Sequence, residues 1–243
     1  MFNLFKLVLA GSISVVLLSA CGGGGGGGDS APAAQTSTAP TPVTSFALQA
    51  GYKARLASGS VGNYVVSGTC SGTMKATASS PSSSTFESAT ALAITTTLTM
   101  SVTNCTPASQ AVTAVSYIDS NYNPLGSSIA GTEYAKFLTV PSPLPTSVKI
   151  GDTAIYGTEA VYTDSSKQTS KGQRTFSYVV EQDGTSTTTA IVNLITKDTN
   201  TSNQLLVTAQ SRARITADGT ITPVTIDVQY STTSTNHFIY TAN

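Results

Sequence analysis

The chain has 243 residues, and its 12 Lys and Arg side chains balance 12 Asp and Glu, so the formal net charge at pH 7 is zero. This balance excludes the strong positive field by which proteins attract nucleic acid. Charged residues make up only 10% of the chain, well below the usual level of about a quarter. The length suits one ordinary domain or two small ones.

The first 20 residues have the organisation of a secretory signal. Lys6 supplies a positive charge ahead of an apolar core at residues 7–18, and the small residues Ser19 and Ala20 follow that core. The core is too short to cross a bilayer as a helix, which takes about 20 apolar residues. We therefore predict a signal peptide at residues 1–20.

The segment Leu18-Ser19-Ala20-Cys21 at the end of this leader resembles the lipobox of bacterial lipoprotein precursors. The resemblance covers the leader alone. It implies that Cys21 receives a diacylglycerol on its sulfur, that the leader is cut just before this cysteine, and that the new amine is usually acylated. Two or more acyl chains anchor a protein stably in a membrane. The alternative is a plain secretory signal, with Cys21 as an ordinary thiol.

The residue after the cysteine indicates to which membrane the protein is sorted. Gly22 stands where members of this family that stay at the inner membrane carry an aspartate, which implies sorting to the outer membrane of a Gram-negative cell. The leader, the glycine run and the β-rich remainder together resemble small envelope lipoproteins of such bacteria. The predicted location is the outer membrane, with the domain facing the periplasm or the cell surface.

Residues 21–45 are predicted to be a flexible tether. Residues 22–28 are all glycine, and the stretch that follows is rich in Ala, Pro, Ser and Thr without an apolar period. Such a segment cannot bury enough apolar surface to fold.

The remainder is predicted to be all-β, because threonine and tyrosine are frequent and apolar residues alternate with polar ones. We expect an antiparallel sandwich, or a curved and partly closed barrel-like sheet built of hairpins, with no significant helix after the signal peptide. Gly, Asn, Asp and Pro mark the breaks between strands. The predicted strands are 51–57, 63–68, 72–78, 86–102, 111–118, 133–140, 153–162, 174–181, 188–196, 205–216, 224–230 and 236–240.

Three prolines within residues 139–146 cannot continue a central strand. They divide the chain into an N-terminal β unit at 46–140 and a C-terminal antiparallel meander at 141–243, or they form a crossover within one continuous domain at 46–243. Turns are also predicted at residues 121–126 and at Asp183-Gly184.

One hairpin can be predicted to the residue, because Asp218-Gly219 is a strong signal for a two-residue turn. The resulting register puts an almost wholly apolar set on one face, and a slip of one residue would mix the two faces. Asp227 then lies diagonal to Arg212, within reach of an ion pair. The predicted opposite pairs are Ala217 and Thr220, Ile215 and Thr222, Ala213 and Val224, Ser211 and Ile226, Ala209 and Val228, and Val207 and Tyr230.

Cys70 and Cys105 remain once Cys21 is assigned to lipid. Export to an oxidising compartment favours a disulfide between them. Two buried free thiols or a metal site are the alternatives, but the single histidine, His237, stands far along the chain. We predict the disulfide, no metal site and no cofactor.

Signals for catalysis are weak. In residues 236–240, His237 shares a strand face with Ile239, while Phe238 and Tyr240 take the other, which is typical of a structural histidine. No spacing nominates a nucleophilic serine.

The remaining charged residues fall into candidate carboxylate pairs, turn residues and a pair of arginines. Paired carboxylates could serve a glycosidase, but tryptophan, a common sugar-stacking residue, is absent. Acidic residues near turns are expected to cap backbone amides, and two close arginines on one strand face are expected to be solvated. The candidate carboxylates are Glu133, Glu159 and Glu181; the turn residues are Asp119, Asp152, Asp164 and Asp183; the arginines are Arg212 and Arg214.

These observations predict a non-enzymatic binding or interaction module of the cell envelope. Its partners would be the membrane, through the N-terminal lipid, and an envelope protein or an apolar ligand, but not nucleic acid. The alternative is a carrier of lipid or another apolar molecule, which requires a cavity of several hundred Å³. An envelope hydrolase is the third hypothesis, and it requires polar groups that converge in a cleft.

Overall fold

A computed structural model describes residues 42–231 and 236–243. The predicted signal peptide, Cys21 and most of the predicted tether lie outside these residues. The described chain is mostly β-structure, with one short helix, as predicted for an all-β fold. The elements in chain order are α1 (Leu48–Ser58), β1 (Ser60–Gly68), β2 (Ser71–Ala78), β3 (Ser82–Phe86), β4 (Ala89–Thr103), β5 (Ser109–Ile118), β6 (Pro124–Ile129), β7 (Glu133–Phe137), β8 (Thr153–Tyr162), β9 (Ser170–Gln182), β10 (Thr189–Thr199), β11 (Leu205–Thr216), β12 (Ile221–Tyr230) and β13 (His237–Ala242).

Twelve strands form a closed antiparallel barrel, and β3 is an additional strand beside it. The barrel follows chain order from β1 through β2 and β4 to β13, and it closes where β13 pairs with β1. Of the two predicted arrangements, the barrel is therefore the one observed. Strands from both sides of the proline-rich segment belong to this one sheet.

The closing seam requires glycine at the end of β1. Gly68 has a φ of +101°, and a Cβ there would lie 2.2 Å from the carbonyl oxygen of His237. The next residue continues the contact, since the Thr69 amide donates to that oxygen and the Thr69 hydroxyl accepts from the His237 amide. Glycine thus lets the first and last strands approach closely.

Alternation along the strands separates an apolar interior from a hydroxyl-rich exterior. In β4, Ile94, Leu98 and Met100 are buried, whereas Thr95 and Thr99 are exposed. Successive side chains of a strand point to opposite faces of the sheet, so the period-two pattern that predicted the strands also selects the barrel lining.

Helix α1 covers one end of the barrel, at residues predicted to be a strand (51–57). That strand prediction is wrong, and α1 is the one short helix of the otherwise β-rich described chain. Leu48, Tyr52 and Leu56 are all buried, and their spacing of four residues places them on one helix face. The predicted window began after Leu48, so it missed the first member of this stripe. The helix packs closely on the β11–β12 turn, because a Cβ on Gly51 would lie 1.9 Å from the carbonyl oxygen of Gly219.

The connection between β7 and β8 crosses the same end of the barrel. Phe46 and Val148 form an isolated antiparallel bridge, and the Gln49 side-chain amide donates to the Leu144 carbonyl oxygen at 3.0 Å. The proline-rich residues lie in this connection and continue no strand, as predicted.

The predicted strand 86–102 is confirmed as β4 from Ala89 onward, but its first three residues are the end of β3 and a tight turn. Phe86 of β3 pairs with Ala89 of β4, and between them Glu87 and Ser88 adopt φ values of +49° and +65°. Turns of this kind favour Gly, Asn or Asp, and neither residue is one of them. The sequence therefore carries no signal for this hairpin.

The predicted β11–β12 register is confirmed from Val207 opposite Tyr230 as far as Ser211 opposite Ile226. Nearer the turn it is wrong, because a bulge after Arg212 shifts the pairing by one residue. The loop holds three residues, 217–219, rather than two, since the Thr216 amide donates to the Thr220 carbonyl oxygen. A three-residue loop ending in a left-handed glycine is the next commonest hairpin solution. The predicted turn at Asp183-Gly184 does separate two strands, and the predicted turn at 121–126 does so only through residue 123, because β6 begins at Pro124.

The predicted disulfide between Cys70 and Cys105 is present, with Cα atoms 5.8 Å apart. Cys70 lies in the β1–β2 turn and Cys105 in the β4–β5 turn, at the barrel end opposite helix α1. The disulfide therefore ties together two neighbouring hairpin tips.

Candidate functional site

Five charged side chains cluster inside the barrel. They are Glu133 of β7, Glu159 of β8, Lys171 and Arg174 of β9, and Asp198 of β10. The ladders bring them together, because Glu159 pairs with Arg174 across β8 and β9, and Arg174 pairs with Asp198 across β9 and β10. We refer to this set as the interior cluster.

Arg174 is the centre of the interior cluster, and its side chain is only 1% exposed. Its Nε and Nη2 donate to the two carboxylate oxygens of Asp198 at 2.9 and 3.0 Å. Nη2 also lies 2.9 Å from Glu133 Oε1, while Nη1 lies 3.7 Å from Glu159 Oε2. Lys171 Nζ donates to the second oxygen of Glu133 at 3.2 Å. Arg174 thus faces three carboxylates from three strands.

Glu159 is the least compensated member of the interior cluster. It is fully buried, and neither carboxylate oxygen has a hydrogen-bonding partner among the described residues. Burial raises the pKa of Glu159 to about 8, with Arg174 opposing the rise and the neighbouring carboxylates adding to it. Burial also raises the pKa of Asp198, whereas the three carboxylates hold the pKa of Arg174 well above its ordinary value. A pKa of about 8 predicts that Glu159 carries a proton at neutral pH.

This proton makes stability depend on pH. The folded-state pKa of Glu159, about 8, lies above its ordinary value of 4.5, so the folded chain binds the proton more tightly than the unfolded chain. The free energy of unfolding is expected to fall as pH rises from 5 to 8, with Glu159 contributing up to about 1.4 kcal/mol per pH unit. Glu159→Gln should remove this contribution, which urea unfolding at several pH values would measure.

Glu181→Gln is the matched control for that measurement. Glu181 lies on the outer face, bonded to Asn193 and Arg212, and its side chain is about one-third exposed. The control should keep the pH dependence of the parent protein. Equal slopes for Glu159→Gln and the parent would contradict a buried, protonated Glu159.

Two of the three candidate carboxylates, Glu133 and Glu159, do meet at one arginine, and Glu181 does not join them. Both carboxylates are buried in the interior of the barrel. A glycosidase needs a sugar between its two carboxylates, and in this conformation Arg174 occupies that place. The geometry is that of a buried ion network rather than of an accessible catalytic pair.

His237 and the two predicted arginines lie on the outer face. His237 Nε2 is 2.9 Å from Asp227 Oδ1, while Phe238 on the same strand is buried, as predicted. Arg212 pairs with Glu181, so the predicted ion pair with Asp227 is wrong. The reason is that Asp227 pairs with His237 of the neighbouring strand β13, whereas Arg212 reaches past β10 to Glu181 of β9.

Three of the four turn aspartates cap backbone amides as expected. Asp119, Asp152 and Asp164 each accept from amides of their own turns, at 2.7–2.9 Å. Asp183 instead accepts from the Arg214 guanidinium and from a threonine hydroxyl. The three capping aspartates therefore stabilise their turns. Arg214 forms an ion pair with Asp183.

Sequence reasoning missed Arg174 and Asp198, although a signal for Arg174 exists. Arg174 has the same strand phase as Phe176, Tyr178 and Val180, all of which are buried. A charge in phase with an apolar face must be buried with a partner. The alternation within β9 does not say which residues pair with Arg174, because those residues lie on other strands.

The first half of β8 is exposed on both faces. Thr153, Ala154 and Ile155 are all exposed, although alternate residues of a barrel strand normally face the core. The ladder of β7 with β8 runs only from Phe137 opposite Glu159 to the end of β8. Within the described residues these three positions pair with β9 alone, so their second backbone edge is open.

Exposed apolar side chains accompany this open edge. Ile155 is 75% exposed, and Leu138, Val140 and Ile150 of the preceding connection are between 43% and 60% exposed. We call these four residues the β8 rim. Exposed apolar patches on a protein surface are typical of interaction sites.

A cavity beneath helix α1 is small. It is lined by Tyr52, Leu56, Ile94 and Ile118 among others, and its volume is about 10 Å³, which is the space of about one water molecule. A carried lipid would need several hundred Å³, so this cavity does not suit one.

Residues 42–231 and 236–243 contain no group of three or more His, Cys, Asp or Glu side chains placed to hold a metal ion. In the same residues, no helix is both long enough and apolar enough to cross a membrane. No family model matches the chain, and no curated protein or solved structure is detectably similar to it.

Proposed function

We propose that this protein is a lipoprotein of the outer membrane whose barrel is a non-enzymatic binding module for an envelope protein. The lipobox-like residues ending in Cys21 support the anchor. The carrier alternative gains no support from the small cavity under helix α1. Binding is therefore assigned to the outer surface of the barrel.

The observation that carries this proposal is the open edge of β8 beside the β8 rim. An extended segment of a partner can add to an exposed edge through backbone hydrogen bonds, while alternate side chains provide specificity. Closed barrels normally leave no open edge. Here Thr153–Ile155 keep one, next to exposed Leu138 and Val140.

Site-specific photocrosslinking tests this assignment. A photoreactive residue in place of Ile155, in the membrane-anchored protein of intact cells, is expected to capture one protein partner identified by mass spectrometry. Val65 on β1 is the matched control, because it is also an exposed apolar strand residue, at 45%, on another part of the barrel wall. Equal capture at both positions, or lipid alone at position 155, would refute binding of a protein at the β8 rim.

The anchor is tested by changing Cys21→Ala, which removes the sulfur that would carry the diacylglycerol. One thioether-linked lipid with its acylated amine supplies more than the single chain that gives only marginal membrane binding. We expect the parent protein in the membrane fraction and the variant released from it. A variant that still fractionates with the membrane would show that attachment does not depend on this cysteine.

A further inference from the structure

The tip of the β3–β4 hairpin is held down on the outside of the barrel by one carboxylate. Glu87 accepts a hydrogen bond from the Tyr134 hydroxyl at 2.5 Å and from Lys136 Nζ at 3.0 Å. Lys167 Nζ donates to both oxygens of Glu87, each at 2.8 Å. Two ammonium groups and one phenol therefore converge on a single carboxylate.

These three donors come from the barrel itself and not from the hairpin. Tyr134 and Lys136 belong to β7, and Lys167 lies in the β8–β9 turn. The site with its two positive charges is therefore built on a strand and a turn of the barrel, and Glu87 enters it from the hairpin. The side chains of Lys136, Lys167 and Glu87 are each between 28% and 36% exposed, so solvent reaches the site.

The carboxylate in this site is supplied by a backbone conformation that is unfavourable for its residue. Glu87 and Ser88 both have a left-handed φ, a conformation that a residue with a side chain adopts less readily than glycine. The strand β3 that leads into the turn pairs with β4 and lies outside the closed barrel. The group that fills the site therefore comes from a peripheral hairpin and not from the barrel wall.

Aromatic rings form the floor beside the three donors. Phe86 stacks on Tyr117 and Tyr134, with ring centroids 4.6 and 5.5 Å apart, and Tyr162 packs at the edge of the same group. Movement of the hairpin tip would carry Phe86 away and uncover the faces of the tyrosines. Flat aromatic faces beside cations suit a ligand that combines a ring with a carboxylate.

We propose that Tyr134, Lys136 and Lys167 form a binding site for an acidic sugar, and that Glu87 occupies this site as an internal ligand when no sugar is bound. The sugar's carboxylate replaces that of Glu87 between the two lysines. Its ring takes the place of Phe86 on the tyrosine faces. This site is separate from the β8 rim and does not depend on the protein partner proposed there.

Binding of an oligogalacturonate probe to the full-length protein, measured by calorimetry at low and high salt, tests the proposal. Glu87→Gln keeps the shape of the side chain but removes its charge, so it should bind the probe at least about tenfold more tightly than the parent. Adding Lys136→Met and Lys167→Met to Glu87→Gln should abolish binding. Lys75→Met is the matched control, because Lys75 is an exposed lysine of β2 outside this cluster, and it should leave binding unchanged.

Two further probes test separately whether binding needs the carboxylate and whether it needs the sugar ring. The methyl ester of the same oligosaccharide should not bind, because it lacks the carboxylate, and polyglutamate should bind more weakly, because it lacks the ring. Far-ultraviolet circular dichroism and urea unfolding establish that each variant is folded. The proposal is overturned if folded Glu87→Gln fails to bind oligogalacturonate, if the ester binds equally well, or if polyglutamate binds as tightly as the sugar.

Discussion

Replacing Arg174 with leucine is expected to lower the free energy of unfolding by about 3–5 kcal/mol, the range seen when one partner of a buried ion pair is removed. The substitution leaves Glu133 and Asp198 facing one another inside the barrel, with Lys171 as the remaining cation of the interior cluster and no group in place of Arg174 between them. Urea unfolding at pH 7 followed by circular dichroism measures the loss. The loss should shrink toward pH 5, because protonated carboxylates need no counter-ion.

Arg212→Leu provides the comparison for this result. Arg212 also pairs with a glutamate, Glu181, but both side chains are about one-third exposed. Exposed ion pairs contribute about 0–1 kcal/mol, so the free energy of unfolding of this variant should be close to that of the parent. Similar losses for the two variants would show that Arg174 is not held in a desolvated network.

Reduction of the disulfide between Cys70 and Cys105 is expected to lower the free energy of unfolding by about 4 kcal/mol, on the chain-entropy relation for a loop of this length. The sequence separation is 35 residues, and the loop contains β2, β3 and β4. Oxidised and reduced samples of the same chain should be unfolded in urea side by side, since this comparison changes no side-chain volume.

The state of the thiols is the control for that experiment. A Cys21→Ala variant, unfolded without reductant, should show no free thiol, and two after reduction. Two free thiols before reduction would show that Cys70 and Cys105 do not form a disulfide. An unchanged unfolding free energy after reduction would instead mean that the crosslink does not restrict the unfolded chain.

Much of the strand layout followed from local patterns. Alternation identified β4 as a strand and, in β11, also the buried face, and Asp218-Gly219 identified a hairpin whose pairing holds from Val207 to Ser211. The pattern failed where a choice among turn geometries was needed. The bulge after Arg212 arises because the turn takes three residues, and the sequence permits either length.

The two largest errors have different origins. Helix α1 has its apolar stripe at Leu48, Tyr52 and Leu56. The predicted strand began at residue 51 and so left out Leu48, without which the spacing of four residues is less evident. The β3–β4 turn holds Glu87 in a left-handed conformation through contacts with β7 and the β8–β9 turn. No local pattern can indicate a turn that distant residues stabilise.

The candidate sites depended on tertiary structure still more. The sequence nominated Glu133 and Glu159 among several carboxylates, yet only the ladders of β7 to β10 bring them to Arg174 inside the barrel. The open edge of β8 likewise exists because β7 ends opposite Glu159. Strand lengths and neighbours are set by the closed sheet as a whole.

By itself, the sequence determined the all-β class, the buried face of the β11–β12 hairpin, the cysteine pair and the leader that resembles a lipobox, because period, spacing and leader composition are local properties of the chain. Only the tertiary structure decided that the sheet closes between β1 and β13, that α1 covers one end, and that charges from separate strands share one buried cluster. Closure brings together residues more than 150 positions apart, such as Val66 and Tyr240 — a relation that no local pattern contains.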